Sequence, residues 1–280
     1  MATRRKHTGR SGGRRSSKGP VARALSKISP TVKWTVGLIA GALYVYFFYS
    51  FVVAPFTQRW RGIYGDPLYP DGYSIRGIDV SHHQGEIDWD ELRHAEIGSE
   101  PVSFIFIKAT EGKSIIDENF KENFNNAKDN GLIRGAYHYY HPEVGADEQV
   151  DHFIRNVSLT AGDLPPVLDV EEMGKLTAEE LQQGVKTWLT KAERHYGVKP
   201  ILYTNYKFKQ TYLNTPDFRD YPYWIAHYYV DSLAYKGAWK FWQHTDRGRI
   251  DGIGGYVDID VYNGSMYDLL QLTIPERDNF

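Results

Sequence analysis

The 280-residue chain has no cysteine, which excludes disulfides and thiolate metal sites. That absence assigns no compartment, because a chain of this length can build a core without covalent staples. Residues 1–33 contain no acidic residue against ten Lys and Arg. They show no apolar periodicity either, and the Gly- and Ser-rich run TGRSGGRRSSKGP predicts a disordered tail. The 21 residues from Trp34 to Ala54 lack charge altogether. No H-E-x-x-H or comparable ligand spacing occurs, and beyond residue 33 there is no internal repeat or low-complexity segment.

What is present is unevenly placed. The net charge of −2 conceals a basic tail and a remainder with 23 basic against 35 acidic residues. Such a tail suits nucleic acid in isolation, but the apolar run WTVGLIAGALYVYFFYSFVVA that follows gives its charge another role. A helix needs about 20 residues to cross about 30 Å of hydrocarbon, so residues 34–54 are expected to form one transmembrane helix. Tyr44, Tyr46, Tyr49 and the following Trp60 suit an interfacial belt, and the basic flank keeps the N-terminus cytoplasmic. The competing reading is a cleaved signal peptide. The run exceeds the usual apolar stretch of about 7–15 residues, and no good A-x-A site follows it. A single-pass anchor in the cytoplasmic (inner) membrane is expected, with no nucleic-acid partner.

Residues 55–73 hold three Pro and three Gly and are expected to be a linker. One domain is expected over residues 74–272, with 273–280 as a tail. It contains eight short β-rich runs: SIRGIDVS, SFIFIKAT, IRGAYHYY, PPVLDVEE, PILYTN, PYWIAHY, KFWQHT and YVDIDVY. Helical patterns lie between the early runs, at residues 88–97, 117–130, 146–157, 177–196 and 208–213. Thr177 and Glu180 make a capping box, and Gly131 and Gly197 suit helix ends. The last three runs are joined by short, helix-poor connections. Strand–helix alternation predicts an α/β fold, a (β/α) barrel of TIM type with a reduced helical ring, with a doubly wound open sheet as the competing architecture.

Polar residues crowd the C-terminal ends of these runs: Asp79, Lys108 with Glu111, His138, Asp169 with Glu171, Asn205, His227, Gln243, and Asp258 with Asp260. In a (β/α) barrel those ends converge on one mouth. In Asp169-Val170-Glu171 the two acids point to the same face of a strand while Val170 packs behind. Two acids held close cannot both ionise easily, so one keeps a proton near neutral pH. A glycosidase needs such a group to protonate the leaving oxygen, and an ionised carboxylate to stabilise the positive transition state. Alone, the tripeptide is better read as two solvated charges at a strand end or as a metal site, with His138 or His141 as further ligands. Asp79 and Asp258 tip the balance towards hydrolysis, with no metal and no cofactor. His82 and His83 are neighbours on what reads as extended chain, so their side chains diverge and suit loop hydrogen bonds. Tyr137, Tyr139, Tyr203, Trp224 and Trp242 are candidates to stack on sugars, although alternation turns about half of any such set away.

The motifs GIDVSHHQGEIDW, FIFIKATEG, GAYHYY, LPPVLDVEE, PILYTN, YPYWIAHY, FWQHTD and VDIDVYNG resemble, in order and spacing, glycoside hydrolase family 25, the Chalaropsis-type N-acetylmuramidase lysozymes. The resemblance runs from about Ile75 to Ser265. It implies a (β/α)5β3 barrel cleaving the β-1,4 bond between N-acetylmuramic acid and N-acetylglucosamine of peptidoglycan. By position Glu171 matches the general acid, Asp169 its partner, and Asp79 and Asp258 the other mouth carboxylates. Lys108, Tyr137, Tyr203 and Trp224 match the sugar groove. The chain departs from the family at Asp260, where V-D-x-N is frequent. The expected protein is a membrane-tethered peptidoglycan hydrolase working in the periplasm or extracellular wall space, in cell-wall remodelling. The alternatives are a non-catalytic peptidoglycan-binding wall anchor and a hydrolase of another N-acetylated glycan such as chitin.

Overall fold

The computed structural model describes residues 29–53, 69–233, 237 and 239–276. Most of the expected disordered tail (1–28), most of the linker (54–68) and residues 277–280 lie outside the described residues. The chain divides into two units, Met1–Thr57 and Gln58–Phe280.

In the first unit, helix α1 spans Pro30–Phe48 and passes into a π-helical turn over Tyr49–Val53. It begins four residues before Trp34 because Ser29 caps it, accepting from the Val32 amide at 3.3 Å, and Pro30 fits the first turn. No residue of α1 is buried. A helix apolar all round belongs in a core or a bilayer, and the 22 residues Pro30–Phe51 are long and apolar enough to cross a membrane.

The second unit is a closed barrel. Its strands are β1 (Arg76–Val80), β3 (Glu100–Glu111), β5 (Ile133–Tyr139), β6 (Val167–Asp169), β7 (Ile201–Asn205), β8 (Tyr223–Ala226), β9 (Trp239–Gly248) and β10 (Val257–Tyr262), with two-residue hairpin strands β2 (Glu96–Ile97) and β4 (Ile115–Ile116) against β3. Parallel pairing of β1 with β3 closes the ring and rules out the open sheet. Seven barrel strands run parallel, and β10 runs antiparallel to both its neighbours, β1 and β9.

The helices are α2 (Trp89–Leu92), α3 (Phe120–Asp129), α4 (Ala146–Asn156), α5 (Ala178–Tyr196), α6 (Tyr206–Tyr212) and α7 (Met266–Leu272). The capping box at Thr177 and the left-handed Gly197 bound α5 as expected. The helix expected over 88–97 stops at Leu92, because the chain turns at Gly98 (φ +67°) to pair Glu96 with Pro101. The helix expected from Asp117 begins at Phe120, and Asp117 instead binds His82. At the ends of the domain, Tyr73 packs on Trp239 and Trp242, and the Ile274 amide donates to the Asp163 carbonyl at 2.8 Å. The packing of the barrel therefore takes in Tyr73 and Ile274, just beyond residues 74 and 272.

Strand alternation sorts every side chain. One parity faces outward, where Ile105, Ile107, Leu168, Leu202 and Ile225 join Val150, Phe153, Val185 and Trp188 of α4 and α5 in the main core. The other faces inward, where Phe104, Phe106, Trp224, Phe241 and Tyr262 fill the barrel. Rings of that size fit because Gly77 and Gly135 lie opposite them. A Cβ at either position would meet the Phe104 or Phe106 ring at 2.5 Å.

Candidate active site

The parallel strands bring their C-terminal ends, and β10 its N-terminal end, to one mouth holding a cavity of about 280 Å³. Glu171, Asp169, Asp79, Asp258, Lys108, Tyr137, Tyr203 and Trp224 all line it. They share the inward parity of their strands.

The floor is built first. The Trp224 ring stacks on Phe106 at 4.3 Å and meets Tyr203 edge-on at 4.5 Å. Its Nε1 donates to Asp260 Oδ1 at 2.7 Å. The Tyr203 and Tyr228 hydroxyls both donate to Gln243 Oε1, at 2.7 and 2.6 Å. Two donors on one amide oxygen leave Gln243 Nε2 facing Asp79 Oδ2, to which it donates at 2.6 Å. Tyr203 and Trp224 are thus buried beneath the cavity as a rigid base.

Above this base the carboxyls hold one another's charge in check. Burial, then the Asp260 charge, pushes Asp79 well above the usual carboxylate range, against the Gln243 hydrogen bond. Asp169 is raised by burial, then by the Glu171 and Asp79 charges, with Lys108 opposing. Its Oδ1 is buried and has no hydrogen-bond partner among the described residues. Asp258 is pushed up to about 9 by burial and then by Asp79, Asp246 and Glu171. Glu171 stands at the solvent-exposed rim. Partial desolvation raises it first, then the charge of Glu172, with Lys108 opposing. Burial and mutual repulsion therefore shift these acids towards their protonated forms, and one of them, Glu171, is accessible to a ligand.

Lys108 is held as well. Its Nζ contacts Glu111 Oε2 at 2.7 Å and lies 5.2 Å from the Tyr139 ring centroid. Glu111 Oε1 in turn meets His141 Nε2 at 2.9 Å, and His141 Nδ1 lies 4.0 Å from Glu172 Oε1. Glu172 therefore belongs to the rim network, off the cavity.

Several strand-end residues go elsewhere. His138 has outward parity. Buried between Thr110 (2.7 Å) and Gln149 (3.2 Å), it stacks on Trp188, and burial lowers its pKa to about 3. His227, also outward, stacks on Tyr206 at 4.6 Å. Asn205 caps α6, accepting from the Phe208 amide at 2.9 Å. Trp242 is fully buried in the outer core. Asp258 and Asp260 do not end a strand at the mouth: β10 starts there, so Asp258 reaches the cavity and Asp260 lies below it, buried and bonded to Trp224. His82 and His83 occupy a 3-10 turn, not extended chain, and their rings lie 4.0 Å apart. His82 binds Asp117 at 2.7 Å while His83 lines the cavity. Among the described residues no group of three or more His, Asp or Glu is placed to hold a metal ion.

Sequence reasoning passed over Ser81, His83 and Tyr228, which also line the cavity. Parity was the available signal for two of them: Ser81 follows Asp79 by two residues, and Tyr228 follows Ala226 and Trp224 at the same spacing.

A closed barrel whose mouth gathers carboxyls of raised pKa above an aromatic floor has the chemistry of a glycoside hydrolase. Residues 78–253 match the family described as Glycosyl hydrolases family 25, and the chain belongs to that family. It is 46% identical over 201 residues to YegX of Escherichia coli (strain K12), an uncharacterized protein, covering 71% of this chain and 74% of that one. Lysozyme M1 of Streptomyces globisporus is 33% identical over 217 residues, 72% of each chain. The crystal structure of a bacterial lysozyme from Streptomyces coelicolor superposes with a TM-score of 0.66 at 32% identity, covering 72% of this chain and 98% of that one.

Proposed function

We propose that the barrel is a peptidoglycan hydrolase, a lysozyme (1,4-β-N-acetylmuramidase), cutting between N-acetylmuramic acid and N-acetylglucosamine. The observation that carries this reading is the single cavity shared by Asp79, Asp169, Glu171 and Asp258, with the rim acid Glu171 held towards its protonated form. Glu171 gives its proton to the glycosidic oxygen as the C–O bond breaks. Positive charge then develops on the sugar, an ionised neighbouring carboxylate stabilises it, and water adds to the anomeric carbon, returning its proton to Glu171. Asp169 steadies the acetamide side of the sugar, and Asp79 and Asp258 complete the acidic wall. Lys108 and Tyr137 flank the sugar, while Tyr203 and Trp224 support it from below. Helices follow β1, β3, β5, β6 and β7, and among the described residues none lies between β8, β9 and β10, which supports the (β/α)5β3 description.

In this reading α1 anchors the enzyme in the cytoplasmic membrane with its N-terminus inside. The barrel works in the periplasm or extracellular wall space, on wall within reach of the linker, which suits remodelling of the cell's own wall. The acids that cutting requires are all present at the mouth, which favours catalysis over a purely binding wall anchor.

Mass analysis of fragments released from purified wall tests the reaction. N-acetylmuramic acid is expected at every new reducing end; N-acetylglucosamine there, or no fragments at all, would sink the assignment. Reporter fusions after residue 60 are expected to be active only outside the cytoplasm, and cytoplasmic activity would reverse the orientation.

A further inference from the structure

The hairpin between β9 and β10 carries a cationic and aromatic patch that the hydrolytic chemistry does not use. Arg249 Cζ lies 4.7 Å from the centroid of the Tyr256 ring, and Arg247 Cζ lies 5.5 Å from it. The ring is 49% exposed and Arg249 is exposed beside it. Among the described residues no ion pair with a carboxylate engages Arg249, although the chain beyond residue 33 is rich in acids. Arg247 also interacts with Tyr229, whose hydroxyl donates to Asp246.

The patch sits at the rim of the cavity. The hairpin emerges where β9 ends and β10 begins, which is the mouth end of the barrel. Tyr256 immediately precedes β10 and stands two positions before the cavity residue Asp258. Its carbonyl accepts from Gln84 Nε2 at 3.4 Å, tying it to the turn that carries His83 into the cavity.

Two guanidinium groups against one exposed ring make a fork-and-plane surface suited to carboxylates. The cavity beside it is walled by carboxyl groups, and its lysine, Lys108, is already paired with Glu111, so it offers an anion no ready partner. A ligand satisfying both must present an uncharged ring to the cavity and a carboxylate a short distance away. Peptidoglycan has this polarity: its N-acetylated sugar rings are neutral, and its carboxylates hang from the muramic acid substituent. We propose that Arg247, Arg249 and Tyr256 form a carboxylate subsite that holds the acidic substituent of muramic acid while the sugar occupies the cavity. The proposal rests on the hydrolase reading and adds to it a recognition element outside the sugar groove.

The carboxylate belongs either to the stem peptide or, where the peptide is absent, to the lactyl group. The full-length protein, solubilised in detergent, is assayed on three substrates: peptide-bearing strands, strands stripped of peptide by an amidase, and strands whose carboxylates have been converted to methylamides. On peptide-bearing strands Arg249→Gln is expected to raise KM about threefold, acting on KM more than on kcat, as suits one exposed charge contact. The Arg247→Gln/Arg249→Gln double variant should raise it further, and Arg249→Lys should restore most of the loss. A rise confined to peptide-bearing strands assigns the stem carboxylates, and a rise on stripped strands too assigns the lactyl group. Unchanged KM in the double variant on both carboxylate-bearing substrates overturns the subsite, as does an undiminished effect on methylamidated strands. Should the wild type cut nothing, the hydrolase reading fails separately. Sedimentation with peptide-bearing wall then decides the subsite: Glu171→Gln protein must lose binding when Arg249→Gln is added, and equal pelleting overturns it.

Discussion

The two ends of the barrel bury the same kind of side chain in opposite ways. At the closed end Asp163 is matched on every side: Arg134 Nε and Nη2 reach its two oxygens at 2.7 and 3.1 Å, and the Thr160 amide adds a third bond at 2.7 Å. The Arg134 guanidinium itself lies 3.7 Å over the Phe124 ring and donates to the Phe124 carbonyl. At the mouth Asp79, Asp169, Asp258 and Asp260 crowd together, and among the described residues Asp169 Oδ1 has no hydrogen-bond partner. A buried charge costs little when it is paired and hydrogen-bonded, and much when it is not. The closed end is organised for stability. The mouth gives up stability to shift acids towards their protonated forms beside a cavity that a ligand can enter.

The comparison breaks most sharply at Glu171. Replacing it with Gln removes the transferable proton and keeps the shape, so wall lysis should fall by about 10²–10⁴-fold with folding and wall binding retained. Wild-type lysis rates in that variant would remove Glu171 from the mechanism. At the other end, Asp163→Ala leaves Arg134 buried without its partner. A loss of about 3–5 kcal/mol in urea unfolding is expected, with the mouth geometry unaffected. A change below about 1 kcal/mol, the size of an exposed pair, would show that the closed end is not held by this pair.

Much of this division was legible in the sequence, and the reasons differ by element. The apolar runs and the capping box at Thr177 located strands and α5 because both signals are local. The closed ring followed from eight runs, the early ones separated by helices, although closure itself is a pairing of residues far apart, Ile78 with Ile105. The direction of β10 was misjudged, yet the signal existed: the eight residues between Gly248 and Val257 are too few for a crossover, and a short connection enforces antiparallel pairing. Parity was applied to Asp169 and Glu171 alone. Asp79 and Lys108 were included, like His138 and His227, by position along the strand, and Tyr137, Tyr203 and Trp224 by the family resemblance; inward parity on their strands is what separates the cavity residues from His138 and His227. Nothing local revealed that Gln243 would join Tyr203, Tyr228 and Asp79, because that network spans four strands' ends.

Asp260 sharpens the comparison with the smallest expected effect. It is buried, its Oδ1 accepts from Trp224, and its charge is among the causes raising Asp79. In Asp260→Asn the amide oxygen keeps the Trp224 bond while a like charge beside Asp79 disappears. Asp79 should then ionise at lower pH, and the acidic limb of the pH–rate profile should move down. Stability should rise too. An acid whose folded pKa is raised holds its proton more tightly when native. Stability is therefore greatest below the unfolded carboxyl pKa, about 4, and falls as pH climbs towards the folded value, about 9 for Asp258. Relieving one member of the cluster should add about 0.5–2 kcal/mol at neutral pH. The gain should vanish near pH 4, where the unfolded acids also hold their protons. Thermal unfolding of both proteins at acid and neutral pH measures it. Equal stabilities at neutral pH, with the acidic limb unmoved, would show that Asp260 does not share in the charge that sets Asp79.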